Sequence, residues 1–399
     1  MPAPMSNRTA RLTAAADLFL HTFNDPVFSA RSEDPLACDF ALGNPQEMPL
    51  PGFVDALRGA LEPRNKDWFA YKMSEPGSQQ AVAEHLKAWR GVDYDPEDIV
   101  LTNGAFAGLA VCLNAVVDPG EEVIFLSPPW FFYESLILAA GGEPVRVAVD
   151  PLTFDPDLDA IRAAITPRTR AIIVNSPNNP TGRIYTREVL SALADVLREA
   201  SAGRERPIYL ISDEAYSRII YDGITYTSPT SLYPNAFLVY TFGKTLLTPG
   251  QRIGYIALPR EMPEREAMRN ALFMAQITTG YAFPNALLQH ALPDLNRLSI
   301  SIERLQARRD RMVQALAGMG YEVHVPQGTF YLLPRSPLPD DLAFMQLLAE
   351  EHIYVLPGTA VEMPGYFRVS LTASEEMIER ALPGFRRALE KARATIPAR

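Results

Sequence analysis

Short apolar segments alternate with longer segments of helical periodicity between residues 98 and 258. Runs rich in β-branched and apolar residues predict strands, and the stretches between them predict helices. This alternation indicates an α/β fold, in which helices flank a large, mostly parallel seven-stranded sheet. The predicted helices include 105–117, 131–140, 155–164 and 186–200, and the predicted strands are 99–102, 122–126, 143–149, 170–174, 207–212, 236–241 and 252–258.

The last two of these strands are joined by a short connection. Only ten residues separate 236–241 from 252–258. Because a helical crossover between parallel strands needs a longer connection, we predict that this pair is antiparallel.

The pattern changes after residue 295 and predicts a smaller α+β domain. Its predicted helices are a long charged helix at 295–318, a second near 340–350 and a terminal helix, and its strands lie near 321–325, 329–333 and 367–372. The first residues, up to Phe23, indicate an amphipathic helix and not a cleaved leader. We predict a large domain of residues 46–295 and a small domain formed by residues 1–45 plus 296–399.

Composition and charge exclude several classes of partner. The chain has 399 residues, with 37 Lys and Arg against 47 Asp and Glu, and therefore a formal charge of −10. An acidic chain without a basic patch is not expected to bind nucleic acid, and no apolar stretch is long enough to span a membrane. Cys38 and Cys112 form no metal or disulfide pattern, and the five histidines show no metal-ligand spacing. We expect a cytoplasmic protein without a metal ion.

Lys244 directly follows an apolar strand, in the segment Thr241-Phe242-Gly243-Lys244-Thr245. A phosphate-binding P-loop would need glycine at position 238, which is Leu238, so that interpretation fails. Taken alone, a lysine whose ammonium reaches solvent is the simpler interpretation. A lysine that condenses with a carbonyl to form a Schiff base is the alternative, since it avoids the cost of burying a charge.

Polar residues also follow two other predicted strands. Asp213 and Tyr216 come after 207–212, and Asn179 comes after 170–174. Because ligands bind at the carboxyl ends of parallel strands, these side chains are expected to meet Lys244 at one edge of the sheet. Each has an ordinary explanation by itself, such as a turn or a solvated strand end, but their joint occurrence favours a site.

Further residues at the same edge suit an anionic, aromatic ligand. Gly104, Ala105 and Phe106 open a helix after the strand 99–102, where free backbone N–H groups bind anions. Arg252 offers a second phosphate contact through its guanidinium. Trp130, at the close of another strand, offers a flat face for stacking, although a core aromatic is the ordinary explanation.

As an ordered set these motifs resemble the fold-type I, class I/II aminotransferases, which are similar to aspartate aminotransferase and use pyridoxal 5′-phosphate. The motifs are NPTG at 179–182, DEAY at 213–216, the Lys244 segment and G-x-R-x-G-Y at 250–255. The resemblance runs from Leu42-Gly43-Asn44-Pro45 to Arg368 and covers most of the chain.

This resemblance implies a role for each matching residue. Lys244 would form the Schiff base with the cofactor and move the substrate proton, while Asp213 would pair with the pyridine nitrogen. Tyr216 and Asn179 would hydrogen-bond the phenolic oxygen of the cofactor, and Trp130 would stack on its ring.

The resemblance also implies where the phosphate and the substrate bind. Arg368 would hold the substrate α-carboxylate in a bidentate pair, assisted by Gly43 and Asn179. One phosphate ligand, Tyr71, would come from a second subunit, which implies a homodimer. The remaining phosphate ligands would be Gly104, Ala105, Phe106, Thr241 and Arg252.

Two positions depart from the family pattern. Gly243 stands where a serine usually precedes the lysine, so one hydroxyl contact to the phosphate is missing. Phe106 stands where members selective for dicarboxylic acids often have a basic residue, which makes this chain similar to members that accept neutral or aromatic side chains.

The sequence therefore predicts an aminotransferase that moves the amino group of an L-amino acid to a 2-oxo acid, with 2-oxoglutarate as the expected acceptor. Other enzymes on the same scaffold remain open: a C–S β-lyase, a decarboxylase or an oxidase would keep Lys244, Asp213 and Arg368. A non-catalytic protein that retains the fold and binds the cofactor is a further alternative.

Overall fold

The computed structural model describes residues 4–395, and its main feature is a large twisted sheet. The strands in chain order are β1 (Cys38–Asp39), β2 (Ile99–Thr102), β3 (Glu122–Ser127), β4 (Glu143–Ala148), β5 (Thr169–Asn175), β6 (Tyr209–Asp213), β7 (Ala236–Thr241), β8 (Gly254–Ala257), β9 (Val323–His324), β10 (Tyr331–Pro334), β11 (Ile353–Tyr354), β12 (Leu356–Pro357) and β13 (Phe367–Ser370).

Seven of these strands form the large sheet, in the order β2-β8-β7-β6-β5-β3-β4. Strands β4, β3, β5, β6 and β7 pair in parallel, and β8 lies antiparallel between β7 and β2. The predicted seven-stranded, mostly parallel sheet is confirmed, and so is the antiparallel pair formed by the last two predicted strands. Each predicted strand lies within two residues of an observed one at both ends.

Within residues 4–395 the chain forms fifteen α-helices, some of which cover the two faces of the large sheet. They are α1 (Asn7–Ala15), α2 (Asp17–Asn24), α3 (Pro26–Ala30), α4 (Pro51–Leu61), α5 (Pro76–Arg90), α6 (Gly104–Val116), α7 (Tyr133–Ala139), α8 (Leu158–Ala164), α9 (Arg187–Ser201), α10 (Phe242–Thr245), α11 (Arg265–Thr278), α12 (Ala286–Leu295), α13 (Ile302–Met319), α14 (Asp341–Ala349) and α15 (Glu375–Thr395). Helices α6, α7 and α11 pack on one face, and α4, α5, α8, α9 and α12 pack on the other.

Strand β5 shows why the sheet is covered on both sides. Every residue of its sequence TRAIIVN is buried. Ala171 and Ile173 contact the α6 face, whereas Ile172 and Val174 contact the α9 face, because successive side chains of a strand point to opposite sides. A continuous apolar run is typical of a parallel strand that is buried on both faces of the sheet.

A second core lies beyond the large sheet. Strands β12, β13, β10 and β9 form an antiparallel sheet that packs with α13, α14 and α15. Residues 38–39 join this part of the chain because β1 pairs in parallel with β11. Helix α1 instead contacts α7 on the large sheet, and Arg11 forms a 2.7 Å ion pair with Glu143. The division into residues 46–295 and 1–45 plus 296–399 stays a prediction.

Two predicted helices differ from the observed ones. Helix α12 ends at Leu295 and α13 begins only at Ile302, because the Ser301 side chain accepts a hydrogen bond from the Arg304 amide and caps the second helix. The helix predicted up to Phe23 is broken at Ala16 into α1 and α2, and its first three residues lie outside the described part.

Within residues 4–395, no helix combines the length and the apolar character that crossing a membrane requires.

Candidate active site

The carboxyl ends of β2, β3, β5, β6 and β7 meet at one edge of the large sheet and surround a cavity. Its lining includes residues from all of these strand ends and their following segments: Ala105, Phe106, Trp130, Asn175, Asn179, Asp213, Tyr216, Thr241, Lys244 and Arg252. The structure thus brings together most of the residues that the sequence singled out.

Asp213 is the last residue of β6, and it is only 5% exposed. Its Oδ2 accepts a 2.7 Å hydrogen bond from the Tyr133 hydroxyl, and Oδ1 accepts one from the Ala215 amide at 3.2 Å. Burial raises the pKa of this carboxyl group, although the hydrogen bonds and the nearby Lys244 oppose that shift. A buried carboxylate with neutral donors around it is suited to a cationic N–H group of a ligand.

Asn175 links Asp213 to the NPTG segment. Its Nδ2 donates to the Asp213 carbonyl at 2.9 Å, and its Oδ1 accepts from the Asn179 amide at 2.8 Å. These bonds fix the loop after β5 against the end of β6, so Asn179 is held beside the cavity.

Lys244 lies on α10, the short helix that follows β7. The Thr241 side chain caps this helix by accepting a hydrogen bond from the Gly243 amide at 3.4 Å. The Lys244 Nζ lies 5.5 Å from the centroid of the Tyr216 ring and 5.7 Å from that of Phe330. The amine therefore enters the cavity between two aromatic rings, and Lys244 is only partly exposed.

A second cationic corner of the cavity is formed by Gly104, Thr241 and Arg252. A Cβ atom at Gly104 would lie 2.9 Å from Arg252 Nη2 and 3.3 Å from Thr241 Oγ1, so the guanidinium and the hydroxyl converge on the start of α6. Gly104 has a φ of +78°, a conformation that favours glycine. Burial lowers the pKa of Arg252, which indicates that its charge is partly desolvated. A helix start with a guanidinium and a hydroxyl suits a phosphate group.

Aromatic side chains form another part of the cavity wall. Phe106 meets Trp130 edge to face at 5.0 Å between ring centroids, and Phe132 lies 5.4 Å from both rings. Flat aromatic rings of this kind can stack on a planar ligand.

Arg368 comes from β13 and lies beside Asn179. Its Nη1 donates to Asn179 Oδ1 at 2.9 Å, and Nη2 donates to the Ala41 carbonyl at 3.2 Å. The side chain is 2% exposed, and its Nε has no hydrogen-bond partner within residues 4–395. A buried guanidinium with neutral partners has the charge and the free donor that a carboxylate ligand needs.

Four predicted residues are not among those that line the cavity of this single chain. Two of them, Gly104 and Arg368, lie next to the lining residues Arg252 and Asn179. Tyr71 is 97% exposed, in the segment between α4 and α5. Gly43 packs instead against β10, where a Cβ atom would lie 2.5 Å from the Tyr331 hydroxyl.

Three contributors were not found from the sequence. Tyr133 begins α7, Asn175 ends β5, and Tyr331 begins β10. Asn175 follows from the rule that strand ends line the site, because it is the last residue of its strand. The contacts of Tyr133 and Tyr331 depend on how α7 and β10 pack against other parts of the fold. The sequence around each residue therefore does not indicate these contacts.

The chain belongs to the family of class I and II aminotransferases, whose model matches residues 39–385. Aspartate/prephenate aminotransferase of Thermus thermophilus is 36% identical over 348 residues, which cover 85% of this chain and 87% of that protein. The protein is therefore an enzyme, a pyridoxal-phosphate-dependent aminotransferase.

Solved structures show the same fold. An amino transferase from Eubacterium rectale matches with a TM-score of 0.87 and 28% identity, over 97% of this chain and 99% of that chain. The aspartate aminotransferase of Thermus thermophilus with maleate matches with a TM-score of 0.82 and 30% identity, over 96% and 99% of the two chains. These similarities confirm the fold-type I architecture.

The residues of this cavity fit the cofactor that the family uses. Among residues 4–395, Asp213 has only neutral hydrogen-bond donors, the Tyr133 hydroxyl and the Ala215 amide. Gly104, Thr241 and Arg252 form a cradle whose space a methyl group on Gly104 would fill. Asp213, Thr241 and Arg252 line one cavity together with Lys244. A pyridinium nitrogen and a phosphate group match Asp213 and the cradle in charge.

Proposed function

We propose that this enzyme transfers the amino group of an L-amino acid to 2-oxoglutarate and that Lys244 holds the cofactor as a Schiff base. The observation that carries the proposal is the placement of Lys244 in one cavity with the buried carboxylate of Asp213 and the guanidinium of Arg252. Arg368, joined to Asn179, adds a carboxylate-binding group at the margin of that cavity.

Pyridoxal phosphate, when bound, supplies an electron sink for the electron pair that remains when the substrate Cα–H bond breaks. Asp213 would pair its carboxylate with the ring nitrogen and favour the protonated form of that atom. Tyr216 would donate a hydrogen bond from its hydroxyl to the phenolic oxygen of the cofactor, and Trp130 would stack on the ring.

Lys244 and Arg368 act on the substrate. Arg368 orients the α-carboxylate through its fork of N–H donors, which fixes the direction of the Cα–H bond. Lys244 would take the Cα proton through its Nζ when that amine is free. The rings of Tyr216 and Phe330 limit access of water to this amine.

The phosphate site is completed by a second copy of the chain in this proposal. Gly104, Ala105, Phe106, Thr241 and Arg252 would bind the phosphate from one protomer, and the exposed Tyr71 would reach it from the other. The enzyme would then work as a homodimer, in the cytoplasm.

The donor amino acid is proposed to be neutral or aromatic. Phe106 and Trp130 offer apolar surface in the cavity, where a distal carboxylate would lack a basic residue at position 106. Aspartate is the second candidate, because the Thermus relative is named an aspartate/prephenate aminotransferase.

The test is the visible absorption of the purified protein supplied with pyridoxal phosphate, compared with Lys244→Ala and with Lys87→Ala, an exposed lysine as control. Wild type and Lys87→Ala are expected to show the band of a lysine-bound cofactor, and a donor amino acid without keto acid should convert it to the pyridoxamine form. Lys244→Ala should lack the band.

Absence of the band in the wild type would overturn the assignment of Lys244. Release of pyruvate with a thiol, of CO₂ or of peroxide in place of a keto acid would identify a C–S lyase, a decarboxylase or an oxidase. The donor that gives the fastest conversion identifies the substrate class, and 2-oxoglutarate should restore the original band.

A further inference from the structure

Tyr331 lies at the start of β10, between the two halves of the candidate site. Its side chain is 3% exposed and contacts both Arg368 and Tyr216. In the proposed function, Arg368 binds the substrate and Tyr216 binds the cofactor. The titratable or charged groups that face Tyr331 are Tyr216, Lys244 and Arg368.

The Tyr331 ring supports the Arg368 guanidinium. Arg368 Cζ lies 3.9 Å from the ring centroid, well within the distance at which a cation is attracted to an aromatic face. The other partners of this guanidinium are the amide oxygen of Asn179 and the Ala41 carbonyl, both neutral. Since Arg368 is buried without a carboxylate partner in residues 4–395, the ring face is a main source of compensation for its charge.

The Tyr331 hydroxyl contacts the cofactor half of the candidate site. The two tyrosine rings meet at 5.9 Å and 69°, and the hydroxyl of Tyr331 interacts with that of Tyr216. Burial raises the pKa of Tyr331, but Arg368 and Lys244 outweigh it, so the pKa is lowered. The pKa of Tyr216 is raised, by burial first and then by Tyr331. Because the Arg368 guanidinium lies 3.9 Å from the Tyr331 ring centroid and favours negative charge on that phenol, we assign the Tyr331 oxygen as the acceptor and Tyr216 as the donor.

The position of this hydroxyl is constrained by its surroundings. A Cβ atom at Gly43 would lie 2.5 Å from the Tyr331 oxygen and 2.8 Å from Phe330, so the glycine leaves the space that the phenol occupies. Register on β10 also fixes the residue, because Tyr331 pairs with Ser370 two residues after Arg368 on β13.

We propose that Tyr331 is a positioning residue with two separable parts: its ring holds Arg368 ready for the substrate carboxylate, and its oxygen competes for the Tyr216 proton. This inference rests on the proposed function and deepens it. Competition for that proton weakens the hydrogen bond that Tyr216 donates to the cofactor, so the hydroxyl of Tyr331 tunes the lysine-bound cofactor without touching it.

The test uses two variants that divide the side chain. Tyr331→Phe keeps the ring and removes the oxygen, whereas Tyr331→Leu removes both. Two quantities are measured on the cofactor-loaded protein: the pH midpoint of the visible band, and the dissociation constant of an unreactive carboxylate, either 3-phenylpropionate or maleate, whichever the wild type binds more tightly.

Tyr331→Phe is expected to lower the pH midpoint of the visible band. In this variant Tyr216 no longer shares its hydroxyl hydrogen bond with Tyr331 and donates it to the cofactor alone. The carboxylate should bind this variant as it binds the wild type. Tyr331→Leu is expected to lower the midpoint as well and to weaken carboxylate binding about tenfold, the loss of one desolvated cation–π contact. Tyr216→Phe should move the midpoint in the opposite direction.

Tyr233→Phe is the matched control. Its hydroxyl is also buried, and it donates to the Ile208 carbonyl at 2.7 Å, outside the cavity. This variant should change neither quantity. If Tyr331→Leu does not fold, Tyr331→Met, which fills more of the space, replaces it in both measurements.

An unchanged midpoint in Tyr331→Phe, or equal carboxylate binding by wild type and the ring-deletion variant, would overturn the inference. Failure of the proposed function looks different, because the wild type would then show no lysine-bound cofactor band to titrate.

Discussion

The Tyr133 hydroxyl donates a hydrogen bond of 2.7 Å to Oδ2 of Asp213, at a point where both side chains are buried. This bond favours the charged carboxylate, whereas burial disfavours it and raises its pKa overall. Without a ligand, the protein therefore bears part of the cost of a buried charge at Asp213. The residue most suited to a cationic ligand is a source of instability in its absence.

The first prediction concerns the apoprotein of Asp213→Asn. A carboxyl group with a raised pKa in the folded state stabilises the fold below its ordinary pKa of about 3.9, and this contribution is lost as pH rises through the raised value. Asparagine does not titrate. We expect the thermal midpoint of the variant to equal that of the wild type near pH 4 and to exceed it by about 2–4 °C at pH 8.

The same substitution should weaken the affinity for pyridoxal phosphate, because a neutral amide cannot pair with a cationic ring nitrogen. Thermal unfolding across pH and a cofactor titration measure the two effects. A variant that is less stable than the wild type at pH 8 would contradict the placement of an uncompensated charge at Asp213. Asp340→Asn, at an exposed helix cap, controls for loss of a carboxylate in general.

The second prediction concerns the cradle at Gly104. The methyl group of Gly104→Ala would lie 2.9 Å from Arg252 Nη2, and the end of that flexible side chain would have to move away. We expect binding of inorganic phosphate and of pyridoxal phosphate to weaken at least about tenfold, the loss of one hydrogen bond to a charged group. Titration of the apoprotein with each ligand measures this.

Gly203→Ala separates crowding from backbone strain. Gly203 has a φ of +75°, close to the +78° of Gly104, but an added Cβ there has no neighbour within 4 Å. Both substitutions should cost about 1 kcal/mol of unfolding free energy through strain. Only Gly104→Ala should lose phosphate affinity. Equal phosphate affinities in the two variants would mean that the residues around Gly104 do not bind the phosphate.

The sequence predicted the parts of the site that a parallel sheet places by necessity. Asp213, Asn179 and Lys244 follow strands whose carboxyl ends must share one edge, so their meeting follows from the strand pattern alone. Tyr133 reaches Asp213 from the start of α7, and Tyr331 reaches Tyr216 from the smaller, antiparallel sheet. Their contacts are set by packing between elements far apart in the chain, on which local periodicity carries no information.

The third prediction concerns a buried ion pair behind Asp213. Arg90 on α5 pairs with Glu214, whose side chain is fully buried, and its Nη2 also donates to Ser217 Oγ at 2.7 Å. Breaking such a pair leaves one buried charge without a partner. We expect Arg90→Met alone to lower the unfolding free energy by about 3–5 kcal/mol, and Arg90→Met with Glu214→Leu to recover much of that loss.

Urea unfolding of the two single variants and the double variant gives the coupling energy of the pair. Arg162→Met is the control, because Arg162 pairs with Glu199 at 2.6 Å while both side chains are exposed, and such pairs contribute about 0–1 kcal/mol. If Arg90→Met lowered the unfolding free energy no more than the control does, the charge left at Glu214 would have to be solvated by water.

The last prediction concerns substrate choice at Phe106. Its ring lines the cavity and meets Trp130 edge to face, so a substrate side chain there contacts apolar surface. Phe106→Lys would add an ammonium that can pair with a distal carboxylate. We expect the ratio of kcat/KM for aspartate over phenylalanine to rise about tenfold or more, which corresponds to about 1.4 kcal/mol of transition-state binding. Phe106→Leu removes the ring without adding charge and should lower the phenylalanine rate while leaving aspartate unimproved. If Phe106→Leu raised kcat/KM for aspartate itself as much as Phe106→Lys does, bulk and not charge would decide the preference, and the apolar character of this wall would not explain the choice of donor.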